Sequence, residues 1–577
     1  MPLTFQSWIR PVNSAVEKMA RSGFTWLFLF VAVGLTAGLG LREPSPPDEP
    51  RFVLAAKTMV ESGDWLVPHR GREFYAEKPP MFMWLQAAAY SAVGHWRTAF
   101  LLPSLLAALA TLWLTFDLAR HLWSKEAGLA AATGLWLCLQ FGLQAKRGQI
   151  DMVLVGMTTF AVWAICRHLL LGHGWRWLWL GAFVAGVGTV TKGVGFLPLL
   201  LFVPWGFLRS RRKLPTAQAT GGLGNWFMVP VAFLAGTAVW LGPLGLAVLA
   251  SDDPALKAYA SELLFRQTGE RYINAWHHVQ PAWYYLQVVA TLWLPGALLL
   301  PWLIPAWWRR IRAGDVTQIV LLSWCLLVLG FFTASPGKRE VYIFPILPIL
   351  CVAAAPVLRE LLAAPGPRRM LLAWVALTAG AMVALAGVAL TGTSDWASRL
   401  ASQRDIASAD LGQFLRWLLI CGCAGTILVL LARVRHAVLA AVIFMGILWF
   451  TYGVGLAPAV DAASSARALM TQVGARIGPS AELGMIAWTE QNYLQADRAI
   501  VDFGFKAPVA AQWQEGVVWA KAAPTQRWLF VLREVMLPCV DANQVIDIGR
   551  SNRRSWVLVP GTAISARCVA PPPEFEP

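Results

Sequence analysis

Long apolar runs are the feature that most constrains how this chain can fold. A helix needs about 20 mainly apolar residues to cross the hydrocarbon core of a membrane. Of the 577 residues, 57% are hydrophobic and only 14% are charged, whereas a soluble chain averages about 45–50% and about 25%. The sequence therefore predicts a polytopic α-helical membrane protein with about 13 transmembrane helices, and it excludes soluble, disordered and collagen-like proteins. The runs lie at about 24–41, 98–120, 126–145, 150–171, 176–190, 194–208, 225–250, 284–308, 316–335, 341–358, 371–392, 416–433 and 437–459.

The apolar stretch at 79–94 is too short to be counted with these spans. Basic residues cluster after later spans, for example at Arg309, Arg310 and Arg312, and such clusters normally face the cytoplasm. If 79–94 crossed the membrane, every later cluster would lie outside. We therefore expect an amphipathic helix in the membrane interface, with the N-terminus in the cytoplasm and the C-terminus outside. The long run 176–208 is divided at Thr191–Lys192–Gly193 because this topology requires it.

The predicted organisation is a transmembrane part, 1–460, followed by an external tail, 461–577. A first external loop lies at 42–97 and a second at 251–283. The tail alternates helix-like and strand-like patterns, which is typical of a small α/β domain. Its only cysteines are Cys539 and Cys568. An oxidising exterior would permit a disulfide between them; two unpaired buried thiols are the alternative.

Two aspartates open helices at the outer ends of spans. Asp48 lies in Pro46-Pro47-Asp48-Glu49-Pro50-Arg51, where it fits the N-cap of a helix that runs to Gly63. The positive end of the helix dipole should keep this carboxylate ionised. Asp151 opens a later span in the same way. Either residue alone is most simply a helix cap, but two such carboxylates beside external cations indicate a functional site.

Basic residues on the outer side oppose the usual charge bias and are therefore informative. Lys192, Lys338 and Arg339 lie almost at membrane depth, where an ionisable residue indicates function. A lipid phosphate is their natural partner at that depth, although salt bridges to Glu49, Glu77 or Glu340 are an alternative for each residue. His277 and His278 could join Glu77 in a metal site, but two adjacent histidines are equally compatible with ordinary interfacial residues.

Several short motifs, taken in order, resemble a known family. They are Asp48-Glu49-Pro50-Arg51, Ser62-Gly63-Asp64-Trp65-Leu66-Val67-Pro68, Phe74-Tyr75-Ala76-Glu77-Lys78-Pro79-Pro80, Thr191-Lys192-Gly193, Pro281-Ala282-Trp283-Tyr284-Tyr285 and Ser335-Pro336-Gly337-Lys338-Arg339-Glu340-Val341-Tyr342. Together they resemble the GT-C membrane glycosyltransferases, the superfamily of the protein O-mannosyltransferases. Within it, the chain is most similar to the undecaprenyl phosphate–aminoarabinose:lipid A transferases.

The resemblance implies a GT-C fold with in-plane juxtamembrane helices, and it implies roles for particular residues. Asp48 would be the signature acid of the first loop and Asp151 the second acid. The carrier phosphate would be held by Lys78 and Arg51, with Lys338, Arg339 and Tyr342 close by. Further substrate contacts are expected from Glu77, Lys192, Arg147 and Tyr75.

The function implied is transfer of 4-amino-4-deoxy-L-arabinose from undecaprenyl phosphate to a lipid A phosphate, on the periplasmic face of the bacterial inner membrane. The chemistry requires no soluble cofactor, because the carrier phosphate is the leaving group; a divalent metal stays open. We expect a monomer that contacts membrane lipids and no nucleic acid. Transfer of another polyprenyl-linked sugar to protein or envelope glycan is an alternative. A transporter or lipid flippase is disfavoured, because its ionisable residues would gather at mid-membrane.

Overall fold

The computed structural model describes residues 22–211, 222–264, 278–392, 395–565 and 568. Helices dominate the first 460 residues. In chain order they are Ser22–Thr36, Glu49–Ser62, Met81–Val93, Trp96–Ala99, Leu102–Leu122, Lys125–Trp136, Leu139–Ala145, Ile150–Leu169, Trp175–Thr189, Phe202–Ser210, Leu223–Ala250, Pro254–Ser261, Tyr284–Leu292, Leu300–Arg312, Val316–Ala334, Ile346–Ala363, Pro365–Leu390, Trp396–Arg404, Ser408–Leu431, Ala437–Thr451 and Ala457–Ala459.

Within the described ranges, 8 helical segments are long and apolar enough to cross a membrane. Two shorter apolar helices, Ser22–Thr36 and Leu197–Ser210, cover further predicted spans. The break expected at Thr191–Lys192–Gly193 is confirmed, because one helix ends at Thr189 and helical structure resumes at Leu197.

Two predicted spans, 126–145 and 284–308, are not continuous helices. In the first span, one helix ends at Trp136 and another begins at Leu139. In the second span, the helix that begins at Tyr284 ends at Leu292. The two breaks face each other: Cys138 pairs with Pro295 in an isolated β-bridge, and the Leu139 N–H donates to the Leu294 carbonyl at 2.9 Å. Proline lacks an N–H and interrupts a helix. The unwound backbone is tolerated in an apolar region because another part of the protein pairs with it.

The helix Met81–Val93 occupies the predicted interfacial stretch. Its 13 residues rise about 20 Å at about 1.5 Å each, less than the hydrocarbon thickness of about 30 Å. It packs beside the helix Glu49–Ser62, with the Phe52 and Phe82 rings 5.3 Å apart. Its orientation in the membrane interface stays a prediction.

The tail folds into a five-stranded mixed sheet. The strands are β3 (Glu482–Ile486), β4 (Ile500–Asp502), β5 (Arg527–Leu532), β6 (Ile546–Ser551) and β7 (Arg554–Pro560), in the order β4-β3-β5-β7-β6. β3 is parallel to β4 and β5, whereas β7 is antiparallel to β5 and β6. The helices of the tail are Asp461–Ser464, Arg467–Ile477, Glu490–Leu494 and Val509–Ala522. Cys539 and Cys568 are joined by a disulfide.

We call the five-stranded sheet and the helices of the tail the sheet unit. A short hairpin in the first loop contacts it. Its strands are β1 (His69–Arg70) and β2 (Glu73–Phe74). The Arg72 N–H donates to Asp502 at 3.0 Å, and the Lys506 N–H donates to Glu73, also at 3.0 Å. Arg72 and Glu515 form a two-pronged ion pair with distances of 2.7 and 3.0 Å. The sheet unit therefore lies against the loop that carries Asp48 and its neighbouring motifs.

Candidate active site

Asp48 lies at the start of the helix Glu49–Ser62, as predicted, but its carboxylate does not cap that helix. Within the described part of the chain, the side chain accepts no capping hydrogen bond. Its Oδ2 instead accepts hydrogen bonds from Gln149 Nε2 and Arg339 Nη2, both at 3.1 Å. Arg51 lies 3.9 Å from Oδ1. The cap interpretation of Asp48 is therefore wrong, because distant residues occupy its oxygens.

The charges around Asp48 keep it ionised. Burial by itself would raise the pKa of this carboxyl, since a buried charge is costly. The nearby guanidinium groups of Arg339 and Arg51 outweigh burial, and the pKa of Asp48 falls below its ordinary value. The helix dipole predicted an ionised Asp48; in the structure two arginines account for the same state.

Asp151 lies in the first turn of the helix Ile150–Leu169 and pairs with a cation. Lys192 Nζ is 2.6 Å from its Oδ1, and both residues are largely buried. The same ammonium lies 4.8 Å from the centre of the Tyr342 ring. Asp151 also helps raise the pKa of Arg339, although burial alone would lower it. The segment Gln149–Asp151 thus brings the two predicted acids into one cluster.

Four residues beside Asp48 form a closed ring of alternating charge. Arg51 lies 3.4 Å from one oxygen of Glu77, and Arg70 lies 3.3 Å from the other. Glu490, from the sheet unit, completes the ring at 3.2 Å from Arg70 and 4.0 Å from Arg51. We call Arg51, Glu77, Arg70 and Glu490 the ion-pair ring. Burial favours the neutral acid of Glu77, but Arg70 and Arg51 hold its pKa below the ordinary value.

A second buried ion pair fixes the loop that carries Gln149. Arg42 and Glu49 form a two-pronged pair with distances of 2.6 and 2.7 Å. The Gly148 N–H donates to Glu49 at 2.8 Å, and Arg42 donates to the Lys146 carbonyl at 3.0 Å. Glu49 therefore holds the loop that carries Gln149 in place, while the preceding residue, Asp48, lies in the cluster itself. Neighbouring acids of one motif have different tasks.

The ammonium of Lys338, a predicted phosphate contact, bonds to the backbone. Its ammonium donates to the backbone carbonyls of Ser335 and Gln280, at 2.7 and 3.1 Å, and the residue is 4% exposed. It ties the segment around Gln280 to the loop that carries Arg339. The structure brings Arg339 and not Lys338 to Asp48; a role of Lys338 in binding phosphate stays a prediction.

The remaining candidates lie around this cluster. Lys78 is half-buried and donates to the Glu77 carbonyl at 2.8 Å. Tyr75 is buried, with the Arg70 guanidinium 5.3 Å from its ring centre, and burial raises the pKa of its hydroxyl. Arg147 is half-buried beside Gln149.

The predicted metal site is not supported by the described residues. His277 lies outside them, and within the described ranges no group of three His, Cys, Asp or Glu residues is placed to hold a metal ion. Glu77, the third ligand considered, is engaged by Arg51 and Arg70. The cations that surround it are the natural partners of an anion instead.

Sequence reasoning missed Gln149 and Glu490 as parts of this cluster. Gln149 stands two residues before Asp151, a weak signal that could have been used. Glu490 carries no such signal, because it is far along the chain in a unit whose docking the sequence does not reveal. The arrangement as a whole offers guanidinium and ammonium groups to a phosphate, next to two carboxylates.

Known proteins are similar to this chain in sequence and in fold. A family model described as dolichyl-phosphate-mannose-protein mannosyltransferase matches residues 77–233. The chain is 30% identical over 363 residues to an undecaprenyl phosphate-alpha-4-amino-4-deoxy-L-arabinose arabinosyl transferase of Pseudomonas fluorescens (strain Pf0-1), and the match covers 61% of this chain and 60% of that protein. A protein of the same description from Pseudomonas aeruginosa (strain UCBPP-PA14) is 31% identical over 340 residues, covering 56% and 57%. The chain thus matches less than two thirds of the length of these relatives.

The fold has a solved counterpart. The crystal structure of ArnT from Cupriavidus metallidurans bound to undecaprenyl phosphate matches with a TM-score of 0.70 at 18% identity, covering 94% of this chain and 99% of that one. The apo structure of the same protein matches with the same score. The chain is therefore a multi-pass membrane protein with this fold. The predicted GT-C fold and the predicted similarity to these transferases are confirmed.

Proposed function

We propose that this chain is an inner-membrane glycosyltransferase that moves 4-amino-4-deoxy-L-arabinose from undecaprenyl phosphate to a phosphate of lipid A. The observation that carries the proposal is the Asp48 carboxylate held between Arg339 and Gln149, with Arg51 beside it. The similarity to arabinosyl transferases supports the choice of donor.

The chemistry explains why cations surround the acid. An acceptor oxygen attacks the anomeric carbon of the sugar and forms a new C–O bond. The bond from that carbon to the carrier phosphate breaks, and its electron pair leaves on the phosphate oxygen. Since negative charge grows on the departing phosphate, preorganised cations lower the barrier. Arg339, Arg51 and Lys78 are the residues that we assign to this task.

The role of Asp48 depends on the acceptor. A phosphate monoester has a second pKa of about 6 and is largely ionised at neutral pH. It therefore needs no general base. In transfer to lipid A, Asp48 and Asp151 would orient the donor, for example by pairing with the ammonium group of its sugar. If the acceptor were a hydroxyl, Asp48 would instead take its proton.

We further propose the orientation of the molecule. The N-terminus lies in the cytoplasm, and the cluster around Asp48 lies on the periplasmic side together with the 461–577 domain. The position of basic residues such as Arg309 and Arg435 supports this arrangement. In this orientation the carrier and the lipid acceptor both reach the site from the membrane, and the protein acts as a monomer.

Transfer to protein is a second candidate, and the match of residues 77–233 to the protein mannosyltransferase model favours it. Mass spectrometry of lipid A from a host with and without the gene separates the two. We expect an increment of one aminopentose per modified phosphate, restored by the intact gene and not by the Asp48→Asn variant. Unchanged lipid A together with a gene-dependent loss of protein glycosylation would contradict the first proposal and favour the second.

A further inference from the structure

Glu490 is the one residue of the ion-pair ring that comes from the sheet unit. It begins the short helix Glu490–Leu494, which follows the buried Trp488 and the half-buried Thr489. Its side chain is 13% exposed, and its Oε1 lies 3.2 Å from Arg70 Nη1 and 4.0 Å from Arg51 Nε. A carboxylate this enclosed is costly unless cations compensate it. Arg70 and Arg51 supply that compensation.

Arg51 is shared among three carboxylates. Besides Glu490, it lies 3.4 Å from Glu77 and 3.9 Å from Asp48. Its Nη2 also donates to the Pro47 carbonyl at 3.1 Å. Among the described residues no carboxylate forms a two-pronged pair with Arg51, so its position reflects the balance of these four partners. A change in any one of them therefore shifts the guanidinium relative to Asp48.

Arg70 is held more tightly by the same unit. Its guanidinium stacks over the Phe505 ring at 3.8 Å, and the residue is only 5% exposed. Phe505 in turn packs against Trp488, with ring centres 4.8 Å apart. The sheet unit therefore supplies both the Glu490 carboxylate and the Phe505 side chain to the ion-pair ring.

We infer that Glu490 is a positioning residue of the proposed transferase, which places Arg51 beside Asp48 and makes the sheet unit part of the donor-phosphate site. This inference rests on the proposed function and adds to it a residue from outside the transmembrane part. Glu490 does not touch the reacting atoms; it acts through Arg51. Removal of its charge leaves Arg51 to the remaining two carboxylates, and the guanidinium moves away from the position that faces the leaving phosphate.

The pair Arg72 and Glu515 provides a matched control. It also joins the first loop to the sheet unit, at 2.7 Å, but both side chains are about half exposed and neither belongs to the ring. Glu515→Gln removes an attachment between the two units without touching Arg51. Glu490→Gln removes a charge of the same sign from the same unit, but within the ring.

The test uses the purified full-length chain in detergent with undecaprenyl phosphate as the bound probe, and sugar transfer from the lipid-linked donor as the second measurement. We expect Glu490→Gln to weaken binding of undecaprenyl phosphate and to lower kcat/KM, each by about tenfold. Glu515→Gln should leave both within about twofold. In an Arg51→Gln background, Glu490→Gln should cause no further loss, since the effect passes through that arginine.

Three results would overturn the inference. They are an unchanged affinity in Glu490→Gln, an equal loss in Glu515→Gln, and a full additional loss in the Arg51→Gln background. The first would leave the proposed function intact, because the wild-type protein still binds the carrier. If the wild-type protein itself showed no saturable binding of undecaprenyl phosphate, the proposed function and the inference would both fall.

Discussion

At the scale of single residues, Asp48 shows how partners distant in sequence determine the state of a side chain. It is adjacent to a helix start, yet Gln149 and Arg339, 101 and 291 residues away, occupy its Oδ2. The two arginines near it hold its pKa below the ordinary value against the opposing effect of burial. The carboxylate is therefore an anion at neutral pH.

This state gives a prediction for pH dependence. A carboxyl group whose pKa is lowered on folding is ionised at every pH well above that lowered value. The stability that it contributes is lost only as the pH falls through the lowered value. Between pH 5 and 9, Asp48 should therefore cause no inflection in the rate of transfer. An acid limb near pH 6 would instead belong to the acceptor phosphate. We expect Asp48→Asn to lower kcat by about 10²–10³, with the acid limb kept in the residual activity.

Profiles of kcat against pH for the wild type and for Asp48→Asn check this prediction. Asp497→Asn, which changes an exposed carboxylate of the sheet unit, is the control and should leave the profile unchanged. An acid limb that disappears in Asp48→Asn would contradict the assignment.

At the scale of elements, the β1–β2 hairpin depends on a glycine. Gly71 has a φ of 62°, and a Cβ there would lie 2.7 Å from an oxygen of Asp502. Asp502 also accepts the hydrogen bond from the Arg72 N–H. The turn therefore needs glycine for its backbone conformation and for its close approach to the sheet unit.

We predict that Gly71→Ala destabilises the contact between the hairpin and the sheet unit. Gly63→Ala is the matched control, because Gly63 has a φ of 75° and open space around it. Both substitutions incur the left-handed conformational cost of about 1–2 kcal/mol. Only Gly71→Ala adds the steric overlap, about 1–3 kcal/mol more. Thermal unfolding and limited proteolysis should therefore show a clearly lower Tm and faster cleavage for Gly71→Ala. Equal effects at both positions would contradict the close contact.

The elements also show where sequence reasoning stops. Apolar runs predicted helical segments, and strand-like runs at 483–488, 528–532 and 555–559 predicted β3, β5 and β7, because these signals are local. The breaks at Leu137–Cys138 and Leu294–Pro295 could not be predicted, since each is tolerated only because the other pairs with it. The site divides in the same way. The places of Asp48, Asp151 and Arg339 at span ends indicated residues that the structure brings into one cluster. The partners of Lys338 and Glu490 could not be predicted, because they are set by tertiary packing.

At the scale of the whole molecule, the proposed orientation makes the helix Met81–Val93 external and the segment around Arg435 cytoplasmic. Both Ala92 and Arg435 are exposed side chains, so cysteines there can be reached by a reagent. The exposed Cys423 is first replaced by Ser. We predict that Ala92→Cys reacts with a membrane-impermeant thiol reagent in cells with an intact inner membrane. Arg435→Cys should react only after that membrane is permeabilised, and the reverse pattern would overturn the topology.

The paired breaks in two transmembrane segments have a consequence for which residues of this chain can change. Gln140, just after the first break, accepts a hydrogen bond from Trp293 at 2.7 Å and donates to the Glu340 carbonyl at 2.8 Å. The side chain of Gln140 thus holds the loop that bears Arg339 by its main-chain carbonyl at Glu340. Because the acceptor is a main-chain carbonyl, the side chain at position 340 can be exchanged without loss of the hydrogen bond that holds the Arg339 loop.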